Sequence, residues 1–351
     1  MYALMKARRA WIALAALPLV LTACSGPTAS DTTDEGTTAE SPGSIVVYSG
    51  RAESLVAPLF EEFTAETGIA VSVRYGDTAE LAAQLLEEGD RTPAQLYFAQ
   101  DAGALGAVAS AGLFAPLPQA AADRVPADYR GADGTWTGVT GRARVIAFDS
   151  DQVDAASVPT SVFELVDPKW KGQVAIAPTN ASFQSFVTAM RISQGDDVTE
   201  QWLQGLVAND VQRYEKNGQI LEAVNSGQVQ LGLINNYYWY QLAAELGEDN
   251  MRARLAFTAP GDPGSLVNVA GIGILANAAD DAAAATLVEW LLSDPIQQWF
   301  VENTYEYPMV PGVAAADGLP PLDSLSGPDA PLADLADLPG TLTMLEDVGL
   351  L

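Results

Sequence analysis

Short apolar, β-branched runs alternate with helix-periodic stretches along most of this chain. That alternation restricts its fold more than any other feature of the sequence. Ile45-Val46-Val47-Tyr48 is a strand-like run stopped by Ser49-Gly50. Leu55, Val56, Leu59, Phe60 and Phe63 then recur at helical spacing up to a stop at Gly68. Ile69 to Tyr75 alternates as a second strand, and Leu81, Leu85 and Leu86 mark a helix from Thr78 to about Glu88. Gln95 to Ala99 is a third strand and Leu105 to Ala111 a third helix. This order predicts an α/β domain with a largely parallel sheet, right-handed crossovers and ligands outside the carboxyl ends of the strands.

Arg144 to Phe148 is a strand leaving that domain, and a second α/β rhythm starts at Val174 to Ala177. Helices at Phe183 to Ser193 and Glu200 to Ala208, helical character at Ile220 to Val224, a strand at Val229 to Ile234 and a helix at Tyr237 to Glu245 continue it. A glycine-containing strand at Val267 to Leu275 and a helix at Ala282 to Leu292 follow, with another helix after Asp294-Pro295. Gly318 to Pro339 is a Pro/Asp/Leu-rich loop before a closing helix near Leu342 to Val348. A length of 351 residues fits about two domains.

The N-terminus carries an address. Lys6, Arg8 and Arg9 precede an apolar stretch from Ala10 to Leu21, too short for a stable membrane span, which needs about 20 residues, but suited to a signal peptide. It runs into Leu21-Thr22-Ala23-Cys24, which resembles the lipobox of bacterial lipoproteins. The expectation is a signal peptide over 1–23, lipidation of Cys24, and a Ser/Thr/Gly/acid-rich tether over 24–43 that is too polar to repay ordering. The chain would then sit outside the cytoplasm, anchored through the Cys24 lipid alone. An ordinary secretory signal with a coincidental cysteine is the plainer alternative.

Composition then narrows the chemistry. There is no histidine, and Cys24 is the sole cysteine. Ser-His-Asp and Cys-His catalysis, imidazole metal sites and histidine-ligated haem are all excluded. Forty-five Asp plus Glu against 17 Lys plus Arg give a formal charge of -28, which argues against nucleic acid, whose phosphates need clustered cations. A glycosidase built on two carboxylates needs no histidine, but no loop pairs acids convincingly. Acidic runs such as Glu61-Glu62 and Glu87-Glu88 are solvated helix faces.

The sharpest local feature is Asn235-Asn236-Tyr237-Tyr238-Trp239-Tyr240, directly after a strand. Asn is a good helix N-cap. On a strand, adjacent tyrosines would point to opposite faces; in the first turn of a helix they are about 100° apart and can converge beyond its end. That end carries partial positive charge, which favours phenolate. A phenol ionises at neutral pH only beside strong positive charge, and a hard trivalent cation with oxygen ligands meets the requirement. Packing in a core, or stacking on an organic ligand, is the competing reading. Ala177-Pro178-Thr179-Asn180-Ala181-Ser182-Phe183 is a second strand-to-helix junction, either a plain cap or an anion cradle. Gly50-Arg51 is a third. Arg142 and Arg144 share one strand face, from which either could meet an anion or pair with surplus acid.

Several stretches, in order, resemble the ferric-iron-binding proteins of bacterial ABC importers, the bacterial transferrins: IVVYSGR (45–51), TPAQLYFAQDAGAL (92–105), GRARV (141–145), APTNASFQ (177–184), YEKNG (214–218), LINNYYW (233–239) and EYPMVP (306–311). The resemblance implies a two-lobe periplasmic-binding-protein-like clamshell of type II, each lobe a mostly parallel sheet flanked by helices, joined by two hinge strands. The first lobe would be 44–143 plus about 268–312, and the second about 144–267 plus 313–351. Iron(III) would be cargo rather than a catalytic cofactor, so the protein is not expected to be an enzyme. Tyr237 and Tyr238 fall on the family's iron-ligating pair, and Asn235 beside a synergistic anion, phosphate or carbonate. Asn180, Ala181 and Ser182 fall on the anion loop, Asn217 on a further anion contact, and Asp101 on a polar contact from the first lobe. Arg51, Gln100 and Arg142 complete the expected ligand contacts. An ABC permease and its ATPase are the implied partners of a monomer.

Two departures stand out. Some members place a His ligand where this chain has Arg51-Ala52, and a Glu ligand where it has Gln100. Glu53 or Asp101 are the nearby carboxylates available as substitutes. The alternative expectation is a clamshell that binds an oxyanion or a phosphorylated metabolite without metal.

Overall fold

The computed structural model describes residues 43–351. The signal segment, Cys24 and all of the tether except Gly43 lie outside the described residues. The first rhythm forms β1 (Ser44–Ser49), α1 (Glu53–Thr67), β2 (Ala70–Tyr75), α2 (Thr78–Glu88), β3 (Leu96–Ala99), α3 (Ala102–Ser110) and a single turn α4 (Gln119–Ala122). α1 buries Val56, Leu59, Phe60 and Phe63 on one stripe. It stops at Gly68, whose φ of 74° lets its N–H reach the Thr64 carbonyl. Asp77 starts α2 by accepting from the N–H groups of Ala79 and Glu80.

β4 (Trp136–Asp149) is a fourteen-residue strand, buried throughout. The sequence pattern foresees only Arg144 to Phe148, because Gly138, Thr140, Gly141 and Arg142 interrupt the apolar run before it. Two of those residues are glycine because other chain segments approach closely. A Cβ on Gly138 would lie 2.8 Å from the Tyr129 carbonyl, and one on Gly141 would lie 2.4 Å from the end of Met309.

The second rhythm gives β5 (Val174–Ile176), α5 (Ala181–Gln194), α6 (Asp196–Ala208), β6 (Gln212–Arg213), α7 (Asn217–Asn225), β7 (Leu231–Asn235), α8 (Tyr237–Leu246) and β8 (Ala253–Ala256). β9 (Val267–Ile274), α9 (Ala282–Leu291), α10 (Asp294–Thr304), β10 (Tyr307–Pro308) and α11 (Leu338–Asp347) complete it. The strands run in the order β2-β1-β3-β9-β4-β7-β5-β6, with β8 and β10 also paired to β4.

The flanks of this array are parallel, as helix crossovers require: β1 with β2 and β3, and β5 with β6 and β7. Its middle is antiparallel, since β9 opposes β3 and β4, while β7, β8 and β10 oppose β4. The sheet is therefore mixed rather than mostly parallel. β4 changes partner at its midpoint. Residues up to Ala143 ladder with β9, and those from Arg144 onward ladder with β7. One strand thus belongs to two ladders, each with its own helices, which is the two-lobe clamshell. The chain returns from β8 to β9 through residues 257–266.

The C-terminal stretch touches helices of both ladders. Leu332–Ala336 lies so close to α3 that a Cβ on Gly103 or Gly106 would come within 2.5 Å and 2.6 Å of the Leu335 and Ala333 carbonyls. α11 meets α5 through a 2.7 Å bond between the Thr341 and Thr188 hydroxyls, and Arg191 pairs with Asp337 at 3.0 Å. Among the described residues no helix is long and apolar enough to cross a membrane.

Candidate functional site

β5, β6 and β7 end beside one another, so the loops that follow them share one edge, where open α/β sheets bind ligands. Asn180 ends the β5 loop as the N-cap of α5. Its Oδ1 accepts from the Ser182 N–H at 3.1 Å, the Ser182 hydroxyl at 2.6 Å and the Asn217 amide at 3.2 Å. The Asn217 amide also donates to the Ser182 hydroxyl at 3.1 Å. Asn180, Ala181, Ser182 and Asn217 are thereby gathered at the start of α5, with α7 beginning alongside.

Arg144 holds this group together. It sits opposite Asn235 in the β4–β7 ladder, and its Nη1 donates to Ser182 at 3.2 Å, Asn217 at 3.4 Å and Asn235 at 3.3 Å. Its Nη2 donates to the Leu233 carbonyl at 3.1 Å, and the guanidinium lies over the rings of Phe183 and Phe186. Burial lowers its pKa to about 9, while the phenols of Tyr238 and Tyr237 act in the opposite sense. At neutral pH it is still a cation, buried with no carboxylate bonded to it. Sequence alternation places Arg144 on the same face as Arg142, but only the Asn235 register reveals it as the centre of the loop cluster.

Tyr237 and Tyr238 open α8. Their rings stack, with centroids 4.3 Å apart and planes at 27°, and both are half-buried. Burial pushes the Tyr237 phenol well above its ordinary pKa, aided by Tyr238 and by Glu306, while Arg142 pulls it down. Asn236 stands at the helix start without capping it. Its buried side chain instead accepts from the Ala143 N–H at 2.9 Å and donates to the Tyr305 carbonyl at 3.4 Å. The tyrosine pair is thus bolted to the midpoint of β4, where that strand changes ladder.

Arg51 and Arg142 face this group from the other ladder. Arg51 is buried and its Nη2 pairs with Glu306 at 2.7 Å. Arg142 donates to the Gln100 carbonyl, and its Nη1 lies 3.8 Å from Glu306 Oε1. Glu306 also accepts from the hydroxyls of Thr140 at 3.0 Å and Thr304 at 3.3 Å. Several buried polar atoms remain unpartnered here: Nε of Arg51, Nε and Nη1 of Arg142, Nε of Arg144 and Oε1 of Glu306. Such atoms cost stability unless a ligand completes them.

The remaining expected contacts are more ordinary. Gln100 takes part through its backbone, accepting from Arg142 and donating its N–H to Thr78 at 3.1 Å. Asp101 caps α3 by accepting from the Ala104 N–H at 3.1 Å, and burial raises its pKa. Glu53 is exposed in the first turn of α1. The carboxylate that stands among the arginines is Glu306, 255 residues from Arg51 in sequence, and no local pattern pairs the two. Among the described residues, no three acidic, histidine or cysteine side chains cluster as a metal site.

The model of the family of bacterial extracellular solute-binding proteins matches residues 94–328. The chain belongs to that family. It is similar to the Fe(3+)-binding periplasmic protein of Serratia marcescens, with 34% identity over 310 residues that cover 88% of this chain and 90% of that one. It is also similar to the major ferric iron-binding protein of Neisseria gonorrhoeae, with 30% identity over 312 residues covering 87% and 93%. Iron-bound HitA from Pseudomonas aeruginosa superposes with a TM-score of 0.82 at 35% identity, covering 88% of this chain and 100% of that one. A Trichodesmium protein in complex with iron and citrate superposes at 0.77 with 27% identity, covering 88% and 99%. As an extracellular solute-binding protein, this chain has a cleft between lobes as its expected ligand position, and the tyrosines and the three arginines converge from the two ladders.

Proposed function

We propose that this solute-binding protein captures iron(III) outside the cytoplasm, on Tyr237 and Tyr238 with a synergistic anion, and delivers it to an ABC permease with its ATPase. The observation that carries this reading is a stacked phenol pair at a helix N-terminus, facing buried cations, in a chain without histidine. Oxygen ligands and a hard trivalent ion suit one another, and the charge of the metal supplies the drive to ionise the Tyr237 phenol that burial keeps protonated. Similarity to proteins named for ferric iron agrees with it.

Charge then argues for the anion. Two phenolates leave one positive charge on iron(III), and three guanidiniums against the Glu306 carboxylate leave two more. A multivalent anion such as phosphate or carbonate balances this excess, bound by the loop of Asn180, Ala181 and Ser182 with Asn217, Asn235 and Arg144, and by the unpartnered N–H groups of Arg51 and Arg142. No step here breaks or makes a covalent bond in a substrate, and the reading is of a carrier without catalysis.

Ferric salt added to purified protein with phosphate should produce a visible phenolate-to-iron charge-transfer band. Tyr237→Phe combined with Tyr238→Phe should abolish the band and reduce iron retention at least ~100-fold, since two charged ligands are lost. Unchanged colour and affinity in the double variant would refute the assignment. The same arginines favour a second reading, a phosphorylated metabolite bound without metal. That reading requires tight phosphate-ester binding after chelation, with Arg51→Ala more damaging than the tyrosine changes.

A further inference from the structure

A second cavity lies on the opposite side of the β4–β10 ribbon from the arginine cluster. Tyr307 stands over Gly141 in the β10–β4 register, and a Cβ on Gly141 would be 3.3 Å from Tyr307 Cβ. Glu306, the preceding residue, reaches Thr140 and Arg142, whose side chains alternate with Gly141 and so occupy the other face of β4. One face of the ribbon therefore serves the iron and anion site, and the other opens into a space of about 1100 Å³. That space is roofed by the Pro-rich stretch before α11 and floored by Leu266, Tyr307, Met309 and Val310. Leu319, Leu322 and Leu325 line the roof and are only half-buried.

Two independent features say what would fill it. Tyr307 is a lining residue of the cavity, and its hydroxyl is fully buried with no hydrogen-bond partner. A second aromatic, Tyr129, shares the lining. The charge of the rim is one-sided: Asp128, Asp323 and Asp329 are exposed lining residues. Arg130 is the basic residue among the described lining, and it is already paired with Asp123 at 2.9 Å.

We propose that this cavity is a second ligand site, for an amphipathic organic cation whose apolar body fills the leucine-lined space and whose ammonium group lies among Tyr307, Tyr129 and the rim carboxylates. An ammonium donates to the unpartnered phenol oxygen and is attracted to aromatic faces and to the carboxylates. The apolar body gains by leaving water. On the other face the three buried guanidiniums of the iron and anion site draw the synergistic anion, so the groups flanking the two faces of one ribbon are of opposite charge.

The test uses tryptamine and indole-3-acetate, which share a ring and differ in charge, titrated calorimetrically into the purified protein. Tryptamine should bind with a Kd below ~1 mM and indole-3-acetate at least ~10-fold more weakly. Tyr307→Phe should weaken tryptamine roughly fivefold by removing one hydrogen bond. Asp323→Asn with Asp329→Asn should weaken it by a similar factor and leave iron binding unchanged. Leu322→Trp, which adds bulk to the roof, should block tryptamine and carries the test if Tyr307→Phe fails to fold. Absence of tryptamine binding, equal binding of both probes, or indifference to Leu322→Trp would overturn the proposal. So would loss of tryptamine binding in the Tyr237→Phe, Tyr238→Phe variant, which would place the cation in the interlobe cleft.

Discussion

At Tyr237 the proton is the quantity that couples site and solvent. Burial raises the pKa of this phenol well above its ordinary value, so the metal-free protein holds it protonated at neutral pH. Iron must displace that proton, and iron affinity should rise with pH by about one log unit per pH unit for Tyr237 alone. Chelator competition at several pH values between about 6 and 8 measures this slope, and a flat profile would remove Tyr237 from the ligand set. The sign for folding is opposite. The raised pKa contributes stability below about pH 10, the unfolded value, which is lost as pH climbs through the folded value. Arg144, with a pKa of about 9, stays charged throughout the physiological window and is available to an anion there. The tyrosine pair and the loop of Asn180, Ala181 and Ser182 were legible as residues because Asn, Ser and Tyr at strand-to-helix junctions are chemically conspicuous. Glu306 and the central role of Arg144 were not, because each depends on a partner far away in sequence.

The elements that place these residues were mostly visible as periodicity, and the misses have local causes. The parallel flanks announce themselves because β1, β3, β5 and β7 are short apolar runs and β2 alternates, whereas the exposed Gln212–Arg213 of β6 carries no such signal. The first half of β4 is buried just as fully, yet it reads as polar, since its glycines make room for Tyr129 and Met309 and its arginine is held by the Gln100 carbonyl and Glu306. Asn236 is the instructive case. Its type and position suggest a helix cap, but its side chain spends its hydrogen bonds on Ala143 and Tyr305 instead. Asn236→Ala would leave the buried Ala143 N–H without that acceptor and cost about 1–3 kcal/mol. Denaturant unfolding should show that loss, together with weaker iron binding, because α8 would no longer be fixed to β4. Unchanged stability would mean that this side chain does not anchor the helix.

For the whole molecule, family membership makes the extracytoplasmic location a property of the class, whereas attachment to the membrane rests on Cys24. Cys24→Ala should shift the protein from the membrane fraction to the soluble fraction after cell breakage; retention would reject lipid anchoring. The charge of -28 is concentrated in exposed carboxylates such as Glu61 and Glu62, and the arginines of the candidate site are buried away from them. The contact of Leu332–Ala336 with α3 and of α11 with α5 has a mechanical meaning. Two lobes joined only at their crossing strands can swing apart like the covers of a book. Here the end of the chain lies across both covers, so a wide swing has to peel it from α3 or carry it along under tension. The carrier would then load and unload at a pace set by that latch, and a partner that grips the latch rather than the covers would hold the lever on release.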